Sequence, residues 1–212
     1  MADFTGFNPM DAKTNIGMLE SELTSAYIAL SDAFNVIEND VSENWASPNA
    51  VQFATNYVPK FNELKRLFAE RGNSIMNNSV QAVNYMAMAN GTSFSVEVVE
   101  LKFTENTNNF KEEINGIVGM NVEKVVNLIE GEFEAQLSKF YTICEELKTL
   151  DIALYDPEGT LKESYRAFLS SFEQELNETV HNIYTILAAA INTEINAINI
   201  SKTSAADEMA AN

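Results

Sequence analysis

One cysteine, one histidine and one tryptophan are all that a chain of 212 residues carries of these three types. A single thiol, Cys144, excludes an internal disulfide, and its place in an apolar repeat reads as a buried thiol rather than a reactive one. A single histidine leaves little for metal or acid–base chemistry. Glu178 and His181 make a Glu-x-x-His spacing that can serve a di-iron centre between helices, but such a centre needs a second copy of the motif and more glutamates. A serine triad would also have to use His181, and no Gly-x-Ser-x-Gly nucleophile elbow accompanies it. Phosphate-cradling glycine loops are missing. Adjacent pairs such as Glu112 with Glu113 or Glu145 with Glu146 point apart on a helix and read as solvating charge. The residues therefore predict no catalytic, cofactor or metal site, and a protein that is not an enzyme.

Basic residues are scarce as well, 13 against 31 acidic ones, for a net charge of −18. A field of that sign repels phosphate backbones and anionic membrane surfaces, so nucleic-acid binding would need a compact basic patch. The densest basic run, Lys60, Lys65, Arg66 and Arg71, does not make one. No window reaches the roughly 18 apolar residues that span a bilayer; the closest, Ile183 to Ile200, is broken by Asn192, Thr193, Glu194, Asn196 and Asn199. The start, Met-Ala-Asp-Phe-Thr-Gly-Phe, has neither the basic region nor the apolar run of a leader peptide. The expectation is a soluble chain without membrane insertion, either cytoplasmic or exported without a cleavable signal.

What is abundant is apolar periodicity, in a composition 46% apolar. Ile16, Leu19, Leu23, Ala26 or Tyr27, Leu30, Phe34, Ile37 and Val41 recur at steps of three and four, which predicts a helix from about 9 to 43 opened by Asn8-Pro9. Residues 1 to 8 read as loose. A second stripe runs from Val51 through Phe53, Tyr57, Phe61, Leu64 and Phe68 to Met86 and ends at Asn90-Gly91, with Pro59 predicting a kink. Between the two lies Glu43-Asn44-Trp45-Ala46-Ser47-Pro48. There Ser47 can cap a first-turn N–H and Pro48 fits the first helical position. Trp45 on this turn reads as a packing residue, set against the joined helix ends or in a partner's groove. Residues 91 to 108 break the pattern and predict an extended linker or a short strand. A third stripe develops from Phe110 through Ile114, Ile117, Val118, Val125, Ile129, Phe133, Phe140 and Cys144. A fourth, after Asp156-Pro157, runs from Leu161 to Ile198, and the tail 201–212 is expected to be disordered.

Laying the halves over each other at an offset of about 110 residues brings Trp45 near Tyr155 and Pro48 near Pro157, a repeat of architecture rather than of side chains. One amphipathic hairpin leaves part of its stripe wet, and two can cover each other. The expected fold is all-α: hairpins at 9–90 and 109–200, a linker at 91–108, and one elongated four-helix bundle.

The run Glu-Asn-Trp-Ala-Ser-Pro-Asn-Ala-Val-Gln-Phe, in a leaderless acidic hairpin, resembles the WXG family of small proteins exported by bacterial type VII secretion systems. The resemblance covers about residues 9 to 90, and more faintly 108 to 200. Trp45 matches the family tryptophan, Ser47 stands where the family has glycine, and Ala50 and Phe53 resemble the small and bulky positions that follow. Family members dimerise as hairpins, so the resemblance implies a tandem fusion, a monomeric pseudo-dimer. It implies a secretion substrate or adaptor with protein partners, a secretion ATPase or a cognate secreted protein, bound through Trp45, Ser47, Ala50 and Phe53. The family's Tyr-x-x-x-Asp/Glu export signal is matched only by Tyr141 and Glu145, inside the third helix instead of after the second. The alternative from another class is a structural or assembly subunit of a phage or surface appendage.

Overall fold

A computed structural model describes residues 7–92 and 95–210, with side chains omitted at 198, 199 and 201–210. The expectations for residues 1–6, for Phe94 and for 211–212 fall outside the described residues. The described residues are all-α apart from one two-stranded ribbon of two residues per strand.

Helix α1 spans Pro9–Asn35 and continues as a π-helical turn, Val36–Val41. Asn8 starts it, its Oδ1 accepting the Met10 N–H at 3.0 Å, which satisfies a donor that has no partner within the helix. The predicted stripe is the buried one: Ile16, Leu19, Leu23, Leu30, Phe34, Ile37 and Val41 are all in the core. Helix α2, Pro48–Ala89, runs through Pro59 as one element. Its end is a Schellman turn at Gly91, φ +73°, where Thr92 N–H bonds to Ala87 O at 2.9 Å and Gly91 N–H to Met88 O at 3.0 Å.

The third helix does not begin near Phe110. Asn115 and Gly116 both take positive φ, +52° and +75°, and Ile114 and Ile117 exchange two backbone hydrogen bonds of 2.9 and 3.0 Å across them. This is a two-residue Asn-Gly hairpin, and it leaves Ile117 and Val118, read as core, 70% and 60% exposed. Helical geometry starts only at α3, Val122–Asn127, where the Asn121 side chain caps the Lys124 N–H at 3.2 Å. A second π-helical turn, Leu128–Phe133, joins α3 to α4, Glu134–Thr149, and packs against the π turn that follows α1.

Helix α5, Thr160–Ala210, opens three residues after Pro157. Asp156 caps it from a distance, its carboxylate accepting the Lys162 N–H at 2.8 Å. The helix continues across 201–210, where a disordered tail was expected.

From 95 to 113 there is no regular structure, and no strand forms among the described residues of this linker. Side chains of α1 and α2 take the place of a ladder. Leu101 N–H donates to Asn73 Oδ1 at 2.7 Å and Leu101 O accepts from Asn73 Nδ2 at 3.0 Å. Val99 N–H bonds to Glu20 and Thr104 N–H to the Tyr27 hydroxyl. Further on, Asn106 reaches Asn35 and Asn109 reaches Asn39. The linker is thus held at Val99, Leu101 and Thr104 by side chains rather than by pairing to a strand.

By contacts the chain forms two units, each drawing on both sequence halves. The first comprises Met1–Asp32, Asn62–Glu105 and Gln136–Glu175. Its core centres on Phe68, whose ring lies 5.5 Å from Phe140, 5.9 Å from Phe168 and 5.1 Å from Phe172. Over it the linker seats Leu101 so close to Gly72 that a Cβ there would meet Leu101 Cδ1 at 2.8 Å. The second unit comprises Ala33–Phe61, Asn106–Ala135 and Leu176–Asn212. It holds a stacked Phe34–Phe61 pair at 4.4 Å and the tryptophan turn.

Removing the Asn73 amide unfastens Leu101 at both backbone groups. Asn73→Ala is expected to lower stability by about 1–2 kcal/mol, with the Leu101 amide losing hydrogen-exchange protection while amides within α4 keep theirs.

Candidate functional site: the tryptophan turn

The second unit's turn between α1 and α2 gathers four side chains that the sequence singles out. Trp45 and Ala46 form strand β1, paired antiparallel with β2, Gly119–Met120, so that Trp45 lies opposite Met120 and Ala46 opposite Gly119. Asn121 N–H donates to Asn44 O at 2.8 Å, and Ser47 N–H to Lys111 O at 3.0 Å, on either side of the ribbon. A segment distant in sequence, 110–121, therefore clasps the turn through backbone bonds. Ser47 Oγ accepts the Ala50 N–H at 3.1 Å, capping α2 as its position before Pro48 predicts.

Apolar packing closes the turn from within. The Trp45 ring centroid lies 5.5 Å from that of Phe53 and 5.9 Å, edge to face, from Phe110. Phe53 also stacks on Tyr57 at 4.9 Å. Trp45 is 1% exposed, and Ser47, Ala50 and Phe53 are buried too. Of the two settings the sequence left open for the indole, the structure shows the first: it lies against its own chain. The four residues shape the site from inside, and a partner would meet their neighbours.

Those neighbours line an open groove of about 300 Å³. Asn49, Gln52 and Asn56 come from α2; Ile186, Ala189, Ala190 and Thr193 come from α5, with Trp45 and Phe53 among the lining. On a chain of charge −18 no ionised residue lines it. Small side chains let a second backbone approach, and the amides offer donors and acceptors. Nothing here has the nucleophile–base geometry of covalent catalysis. Sequence reasoning missed the clasp and the α5 wall of this groove. Asn115-Gly116 was the available signal for the first; the second had none, because it arises only where α5 packs.

Of the other candidates, Tyr141, Cys144 and Glu145 belong to the first unit, and Glu178 and His181 to the second. Tyr141 and Glu145 lie within α4, not beyond a helix end. Tyr141 is half-buried beside Phe140, its phenol pushed up to about 12 by burial first and then by the charges of Glu173 and Cys144. Glu145 is exposed and pairs with Lys148 at 2.7 Å, while Lys148 also bonds to Glu173 at 2.6 Å. Cys144 is buried, and that burial pushes its thiol well up, toward the inert neutral form. In the Glu-x-x-His spacing both Glu178 and His181 are exposed. Among the described residues no three His, Cys, Asp or Glu side chains gather as a metal site would need. No described helix is long and apolar enough to cross a membrane.

Fold and site together define an all-α protein whose distinctive feature is a clasped tryptophan turn beside an uncharged groove. No family model, curated protein or solved structure matches the chain.

Two measurements test the turn. Trp45→Ala is expected to destabilise by about 3–5 kcal/mol, as for other large buried aromatics, and Ser47→Ala by about 1 kcal/mol through the lost cap, both read by urea denaturation. Alkaline pH tests the first unit's core, where burial holds Cys144, Tyr155 and Tyr165 in their neutral forms by raising their pKa. Unfolded, these groups lose protons near their ordinary values of 9.0 and 10.0, whereas folded they keep them. Their contribution is thus complete below that range and falls as pH rises through it. The urea midpoint is expected to drop progressively above pH 9.0, and Cys144→Ala to delay the onset.

Proposed function

We propose that this chain is a non-enzymatic substrate or adaptor of a type VII secretion system that binds another protein, helix in groove, beside the tryptophan turn. The observation that carries the reading is the turn itself. A run resembling the WXG motif joins two long helices, caps the second through Ser47, and buries its only tryptophan.

Two antiparallel hairpins in a four-helix bundle are the architecture that goes with it. In the second unit Phe34 before the turn stacks on Phe61 after it. In the first unit, contacts between α4 and α5 step from Leu150–Tyr165 to Phe140–Phe172, forward along one helix and backward along the other. Both turns bury an aromatic residue, Trp45 and Tyr155, as a tandem of two hairpins would. Such a tandem covers its own stripes and acts as a monomeric pseudo-dimer. The partner is a secretion ATPase or a cognate secreted protein.

In a bacterium with a type VII apparatus, the chain is expected in the medium only when that apparatus is intact, and the purified protein is expected to weigh about 24 kDa in solution as a monomer. Ala189→Lys, which puts a charged chain in the groove at an exposed position, is expected to retain the fold and abolish both export and co-purification with the secretion ATPase. Normal export of that variant removes the groove from the reading. Assembly of the purified chain into filaments or rings replaces the reading with a structural subunit.

A further inference from the structure

The chain contains two Asn-Gly steps, Asn90-Gly91 and Asn115-Gly116. Such steps share a latent chemistry, because glycine offers its amide nitrogen to the preceding carboxamide with no side chain in the way. All four residues are exposed, so solvent access does not separate the two sites. Hydrogen bonding does.

At the end of α2 both reacting groups are held. Asn90 Nδ2 donates to Met86 O at 2.8 Å, and Gly91 N–H donates to Met88 O at 3.0 Å. At the hairpin tip neither is held. Among the described residues nothing bonds to the Asn115 carboxamide or the Gly116 N–H, and the space beside Gly116 is open within 4 Å. The tip's two hydrogen bonds use only Ile114 and Ile117.

We infer that Asn115 is a site of spontaneous backbone modification, and that its isoaspartyl product loosens the clasp over Trp45. The Gly116 nitrogen attacks Asn115 Cγ and gives up its proton, ammonia leaves, and a five-membered succinimide results. Water then opens the ring at either carbonyl, giving aspartate or isoaspartate. The products differ in what they do to the fold. Aspartate tolerates the left-handed conformation of this position and keeps the two-residue turn, adding only a charge near Glu112 and Glu113. Isoaspartate places an extra carbon in the main chain, and a turn closed by exactly two residues does not accommodate it. The Ile114–Ile117 bonds are then lost, two residues before the strand that pairs with Trp45 and Ala46. This inference stands whether or not the chain serves secretion.

The test uses the full chain incubated in mildly alkaline buffer and followed by peptide mapping. Asn115 is expected to convert about tenfold faster than Asn90, the ratio that follows if Asn90 reacts only after its hydrogen bonds open. In denaturant the two rates are expected to converge. Equal rates in the folded chain, or a ratio that persists in denaturant, overturn the assignment. Trp45 is the sole tryptophan, so its emission reports on the clasp. The purified isoaspartyl form is expected to show a red-shifted emission, and Asn115→Asp, which supplies the other product, the native one. Unchanged emission of the isoaspartyl form overturns the coupling to the turn.

Discussion

An indole has to leave water at the point where α1 hands over to α2, and much of the second unit follows from that requirement. Trp45 cannot be covered by a tight turn alone. Its cover comes from Phe53 in the second turn of α2, from Phe110 in a segment distant in sequence, and from a two-residue ribbon with Gly119 and Met120. Burying a large aromatic is worth several kcal/mol, which offsets part of the cost of ordering the segment that covers it. The clasp is held by main-chain bonds and by the Phe110 ring, so its sequence is constrained at Phe110 and where the turn demands positive φ. Asn115 and Gly116 occupy the latter positions.

The linker solves a different problem with a similar economy. An extended segment with no strand beside it would leave its amides unmet, and an unmet buried amide is costly. Asn73, Glu20 and Tyr27 each give a side-chain group to one linker residue in the first unit. Asparagine does this best because one amide both donates and accepts. Asn73 uses both halves on Leu101, whose side chain in turn fills the space left by Gly72. Gly72 is therefore an instance of close approach rather than of unusual backbone.

Charge is arranged around these features and not within them. The chain carries 31 acidic residues, yet the groove beside Trp45 has none in its lining. Where Glu173 comes inward it meets a cation: Lys148, itself largely covered, takes both Glu173 and the exposed Glu145. A surface so acidic keeps copies of the chain apart. A neutral groove in such a surface is where another backbone approaches at the least electrostatic cost.

Helical periodicity located the four long helices, because a stripe at steps of three and four has one solution in which it is buried. The caps at Asn8 and Ser47 were legible for a local reason: a side-chain oxygen ahead of proline meets an N–H within three residues. Periodicity misled from Phe110 to Val118, where Ile114, Ile117 and Val118 keep helical spacing but the left-handed pair Asn115-Gly116 turns the chain back. Asp156 caps α5 from six residues away, a distance no local signal encodes. Local pattern was enough for α1, α2, α4 and most of α5, since each stripe depends on neighbours three or four residues apart. What covers Trp45, where the linker's backbone bonds go and where the groove opens came from packing. Each of these depends on residues far apart in sequence that meet only after packing.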